Sequence, residues 1–122
     1  MSAEAVGVLV SQDLIFTTKV TGTARALGFE VVVAGSAERG VALISEHRPR
    51  VLIVDLNAGA AASAEAMRGY RAALAPRSLL VAFGSHVDHN ALAAAKGAGC
   101  DEVLTRSKFS GELPAHLQRW MG

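Results

Sequence analysis

The chain is short of most things that would announce a function. It has one cysteine, Cys100, in 122 residues, so no internal disulfide framework can form. That usage fits a reducing compartment. Aromatic residues are only 5% of the chain, so the core must be built from Ala, Val and Leu, which suits helices packed closely on a sheet. Neither charge sign dominates, because 12 Lys and Arg stand against 11 Asp and Glu for a formal charge of +1. A field that weak does not predict nucleic-acid binding. Arg39, Arg48, Arg50, Arg68, Arg71 and Arg77 are moreover scattered among acidic residues. No apolar run approaches the roughly 20 residues of a membrane span. Met1-Ser2-Ala3-Glu4 lacks the basic start of a signal peptide. The expected address is the cytoplasm, away from membranes and nucleic acid.

What the chain has is alternation. Five apolar, β-branched runs are each followed by an Ala-rich helical stretch. Val6–Val10, Glu30–Ala34, Val51–Val54, Leu79–Phe83 and Glu102–Thr105 read as strands. The first helix runs from Leu14 to Leu27 and stops at Gly28, a C′ glycine. The second is capped by Ser36 and stops before Pro49. The third runs from Ser63 to Leu74, and the fourth starts at Asp88 or Asn90 and reaches Ala98. Phe109, Leu113, Leu117 and Trp120 recur at helical spacing on one C-terminal helix. The continuous apolarity of Val51-Leu52-Ile53-Val54 is that of a central strand buried on both faces. The pattern predicts a single α/β domain over 1–122, a three-layer, doubly wound, five-stranded parallel sheet. A length of 122 residues buries roughly two thirds of the unfolded surface. Short tails favour a complete chain without an output domain.

Right-handed crossovers gather the loops that follow the strands on one edge, where open α/β sheets place functional groups. Those loops carry Ser11, Gln12 and Asp13 after the first strand and Asp55 after the third. Gly84, Ser85 and His86 follow the fourth, and Arg106 the fifth. The segments VGVLVSQDLIF, VLIVDLN, LLVAFGSHVD and AGCDEVLTRSKF resemble the receiver domain of bacterial response regulators, the CheY-like, flavodoxin-like fold, along essentially the whole chain. The resemblance implies strand order 2-1-3-4-5 and makes Asp55 the counterpart of the phosphoacceptor aspartate. It places the family's Mg²⁺-holding acidic pair on Ser11 and Gln12, its Ser/Thr on Gly84 and its lysine on Arg106. The proline after that lysine falls on Ser107, and the switch aromatic on Val103. One of the five key positions keeps its residue, which is the pattern of an atypical, or pseudo-, receiver.

These departures have physical consequences. Phosphorylating a carboxylate brings a transferring anion against an existing one, and Mg²⁺ offsets that charge. With Ser11 and Gln12 in place of two acids, the pocket offers Asp55, and Asp13 only in another loop register. That leaves no cofactor, or weak Mg²⁺ at Asp13 and Asp55. Gly84 and Val103 remove the hydroxyl and the ring of the usual switch, and Ser85, one residue off, points to the other face. Arg106 carries a guanidinium that can grip a carboxylate in a fork. A charge pair at ~4 Å gives on the order of 4 kcal/mol of gross attraction at an effective dielectric near 20. Arg106 is therefore expected to pair with Asp55 and hold the site in one state.

Other candidates have plainer readings beside them. His86, Asp88 and His89, with Cys100 beyond the next helix, are Zn²⁺-ligand types. Their spacing matches no metal motif, and Asp88 serves as an N-cap. His86 at the pocket rim could orient a ligand or sense pH, or be a solvated loop histidine. Arg106-Ser107-Lys108-Phe109 reads as an anion site, or as a turn in which Ser107 or Ser110 caps the last helix. Trp120 and Met121 read as core, and otherwise as a dimer surface. Tyr70 reads as an amphipathic surface residue. No nucleophile–base pair is set by spacing, so no enzyme is expected. The leading expectation is an interaction module working on an unnamed protein partner or as a homodimer, without conventional Asp phosphorylation. The alternatives are a degenerate phosphoacceptor using Asp55, and a small-anion or ligand binder in one cleft lined by Asp55, Ser85, His86 and Arg106.

Overall fold

The computed structural model describes residues 5–122. The tetrapeptide weighed against a signal peptide lies outside them. Strands β1 (Val6–Val10), β2 (Glu30–Ala34), β3 (Val51–Asp55), β4 (Leu79–Gly84) and β5 (Glu102–Thr105) form one parallel sheet in the order β2-β1-β3-β4-β5. That is the order and class expected from the sequence. β3 sits in the middle, and all five of its residues are buried.

The two-residue period of the strands splits the core in two. Val8, Val10, Leu52, Val54, Leu80 and Ala82 pack against α2 (Ala37–His47), α3 (Ala64–Ala73) and α4 (His89–Gly97) on one face. Leu9, Val31, Val51, Ile53, Val81 and Phe83 pack against α1 (Leu14–Ala26), α5 (Arg106–Gly111) and α6 (Leu113–Met121) on the other. Side-chain caps start most of the helices where the sequence puts them. Asp13, Ser36, Ser63 and Asp88 accept from Phe16, Arg39, Ala66 and Ala91 respectively. Gly28 follows α1 at φ 85, a conformation that costs glycine little.

Three expectations need correction. The C-terminal helix is two helices, broken at Glu112. Pro114 in the first turn of α6 has no N–H and its ring crowds the carbonyl four residues back. The apolar spacing runs straight through this break, since Phe109, Leu113, Leu117 and Trp120 are all buried. The cap is neither Ser107 nor Ser110 but Thr105, whose Oγ1 accepts from the Lys108 N–H, so Arg106 already belongs to α5. Tyr70 is no surface residue. It is fully buried, and its hydroxyl donates to the Ala61 carbonyl at 2.6 Å, which pins the 3₁₀ turn Gly59–Ala62 onto α3. Burial pushes its pKa up to about 12. Trp120 and Met121 are core, as expected.

Candidate functional site

Asp55 is the last residue of β3 and shares a sheet face with Val51 and Ile53. Its carboxylate is 3% exposed and receives three donors from the chain itself. The Ser11 hydroxyl donates to Oδ2 at 2.9 Å, the Asn57 backbone N–H donates to Oδ1 at 2.9 Å, and Arg106 Nη2 donates to Oδ1 at 3.1 Å. A buried anion needs this combination of hydrogen bonds and a countercharge. Arg106 therefore does meet Asp55. It does so through one nitrogen rather than a fork, while Ser11 donates to the other carboxylate oxygen.

The guanidinium is held from below by rings. Its carbon lies 5.4 Å from the centroid of Phe16 and 5.2 Å from that of Phe83, within cation–π range. Phe83 stacks on Phe109 at 4.4 Å and 5°. This arrangement corrects the expected placement of the fourth-strand position. In the parallel register Asp55 pairs with Phe83, so the side chain beside Asp55 on its own face is Phe83. Gly84 points to the other face, where an added Cβ would meet Leu56 Cδ1 at 3.0 Å. The pocket still lacks a hydroxyl from β4, but a phenyl ring replaces it. The two-residue period that groups Val81 with Phe83 was the available signal. Phe16 and the Asn57 N–H carried no such signal.

The remaining expected residues part company. Gln12 is exposed, and its Nε2 donates to the Gly35 carbonyl at 3.0 Å. Asp13 lies close in sequence, but its Oδ1 accepts the Phe16 N–H at 3.0 Å as the cap of α1, and its own N–H donates to Ser11 Oγ. The single cleft expected around Asp55, Ser85, His86 and Arg106 does not form. Arg106 stands between two cavities. One of about 180 Å³ includes Asp13, Gly84, Ser85, Asp88 and Arg106 in its wall. The other, of about 380 Å³, is lined by Phe16, Ser85, His86, Arg106, Ser107 and Ser110. Asp55 lines neither, and His86 faces only the second. His86, Asp88, His89 and Cys100 are not gathered, and among the described residues no group of three or more His, Cys, Asp or Glu is placed to share a metal. The Cys100 thiol is pushed up to about 11, first by burial and then by the Asp101 charge, with Arg71 opposing.

Hard Mg²⁺ takes carboxylate oxygens and waters. Here Asp13 caps α1 through Oδ1, the two positions before it are a serine and a glutamine, and a guanidinium already answers Asp55. This donor set is poorer in carboxylate oxygens than magnesium favours.

No family profile matches the chain, and no curated protein matches its sequence. Solved structures do. The CheY-like protein TadZ of Pseudomonas aeruginosa aligns over 96% of this chain and 99% of its own, with a TM-score of 0.75 and 24% identity. Chemotaxis protein CheY4 of Vibrio cholerae aligns over 98% and 100%, with a TM-score of 0.81 and 20% identity. The chain has the CheY-like receiver fold. A third receiver, from a sensor histidine kinase of Pseudomonas aeruginosa, aligns over 97% and 98% with a TM-score of 0.79 and 21% identity, and it holds a magnesium ion in its active-site cleft. On that same receiver fold, the present chain sets a serine, a phenylalanine and an arginine around Asp55.

Proposed function

We propose that this chain is a non-catalytic, cytoplasmic signalling module of receiver type that works through contacts with a protein partner or a second copy, without Mg²⁺-dependent phosphorylation of Asp55. One observation carries the reading. The Asp55 carboxylate already takes three hydrogen bonds from the chain itself, from Ser11, Asn57 and Arg106, the last of which also supplies a countercharge. A phosphoryl donor would have to displace the guanidinium and bring its own anion into a 3%-exposed site, with a serine and a glutamine rather than acids at positions 11 and 12. The test is incubation with Mg²⁺ and acetyl phosphate, followed by intact mass. The account expects no phosphoryl adduct under conditions that modify a conventional receiver. Stoichiometric addition lost in Asp55→Asn would replace it with the phosphoacceptor reading. In that case the chain would resemble its magnesium-holding structural neighbour in chemistry as well as fold.

A further inference from the structure

The larger of the two cavities that Arg106 lines has a composition that the Asp55 lock does not use. Its volume is about 380 Å³, and its lining residues are Phe16, Ser85, His86, Arg106, Ser107 and Ser110. None is a carboxylate, three carry hydroxyls, one is an imidazole and one is a guanidinium. Lys19 reaches its rim, with Nζ donating to Ser110 Oγ at 2.6 Å. A guanidinium has five N–H donors, and among the described residues Arg106 spends one of them, on Asp55. The phenyl face of Phe16 beneath the guanidinium offers no hydrogen bond that would satisfy the others.

We propose that this cavity is a binding site for a small phosphate-type oxoanion, either inorganic phosphate or the phosphate of a small monoester, held by Arg106, Lys19 and His86 with the serine hydroxyls. Planar N–H donors and hydroxyls match tetrahedral oxygens in geometry and charge. The cavity is at the small end of ligand-sized pockets. Because Arg106 is shared, the anion and the Asp55 carboxylate compete for one cation across it. Occupancy therefore weakens the Arg106–Asp55 contact, and by reciprocity loss of the Asp55 charge strengthens anion binding. The coupling rests on the Arg106–Asp55 lock in the proposed function, whereas the binding itself rests only on the cavity.

The experiment is a titration of ¹⁵N-labelled protein with inorganic phosphate and with glycerol phosphate, against chloride at equal ionic strength. Amide shifts of Ser85, His86, Ser107 and Ser110 are the readout. The expected result is saturable binding of phosphate that chloride does not reproduce. Lys19→Gln, a substitution at an exposed position, should weaken it about fivefold, and Asp55→Asn should strengthen it by about the same factor. Saturation by glycerol phosphate alone would assign the site to a monoester, and saturation by both to the phosphate group itself. Shifts that stay linear, or match those in chloride, or are unmoved by Lys19→Gln, would overturn the site. Saturable binding unchanged in Asp55→Asn would overturn the coupling, and with intact-mass data it separates that failure from failure of the phosphorylation-independent reading.

Discussion

At the scale of single residues, the behaviour of Asp55 follows from who holds its oxygens. Arg106→Gln leaves the carboxylate with Ser11 and Asn57 but without a countercharge. Since the Arg106 side chain is a third exposed, solvent recovers part of the loss. The expected destabilisation is about 1–2 kcal/mol, measured by urea unfolding. A double-mutant cycle with Asp55→Asn should return a coupling of similar size, and strict additivity would mean that the pair does not interact. Asp55 and Arg106 could be read as partners from sequence, because both lie at strand tips that topology brings to one edge. Tyr70 could not, because its surroundings depend on where the 3₁₀ turn folds back. It is the chain's one tyrosine, so phenolate absorbance reports it directly. The folded state holds its pKa near 12 against an ordinary value of 10.0, so the unfolded chain loses this proton first. Its contribution to stability is complete below pH 10, declines as pH rises above that, and is gone once the folded form has titrated near 12. Titration of the native protein at the ordinary value would contradict the buried, Ala61-bonded hydroxyl. Tyr70→Phe should cost about 1 kcal/mol, because the Ala61 carbonyl loses a donor.

At the scale of elements, the face shared by α1, α5 and α6 carries a continuous series of rings. Phe16 and Phe83 sit under Arg106, Phe109 stacks on Phe83, and His116 and Trp120 follow at 5.2 Å from each other. The series ends where the Trp120 indole N–H donates to Glu102 at 2.9 Å, beside the Arg119–Glu102 ion pair. A contact at Asp55 is thus packed through five aromatic side chains to the start of β5. Phe109→Leu opens the middle of this stack and should destabilise by about 1–3 kcal/mol. It should also shift the emission of Trp120, the chain's one tryptophan. An unchanged spectrum at full folding would show that the rings are not mechanically joined. Gly84→Thr tests the opposite face. Its Cβ falls 3.0 Å from Leu56, so it should cost about 1–3 kcal/mol, part of which Leu56→Ala restores. Element boundaries were legible from caps and strand runs to within a residue or two. The break at Glu112 was missed because hydrophobic spacing continues across it, although Pro114 in the sequence marked a stop.

At the scale of the whole molecule, fold and chemistry were unequally legible. Five apolar runs alternating with helical stretches point to the parallel sheet and its functional edge, while the strand order was read from the resemblance to receiver domains. The make-up of the site depends on register, and one residue of slip exchanged Phe83 for Gly84. The two edges of the sheet also differ in character. At the edge opposite Asp55, Arg48, Arg50 and Arg77 share a concavity, and Arg50 donates to the carbonyls of Met121 and Gly122 at the end of α6. Cations are favoured at helix C-termini, which accounts for Arg50 without a ligand. At the Asp55 edge the cation faces an acid instead, Arg106 against Asp55 at 3.1 Å. The most direct measurement is an amide-shift map of the labelled protein with Mg²⁺ and beryllofluoride, a mimic of an acyl phosphate. The account predicts no saturable shift at Asp55, Leu56, Phe83 or Arg106 at millimolar Mg²⁺, in wild type and Asp55→Asn alike. Saturable shifts there that vanish in Asp55→Asn would contradict it, showing that Arg106 yields and that Asp55 accepts a phosphoryl group after all.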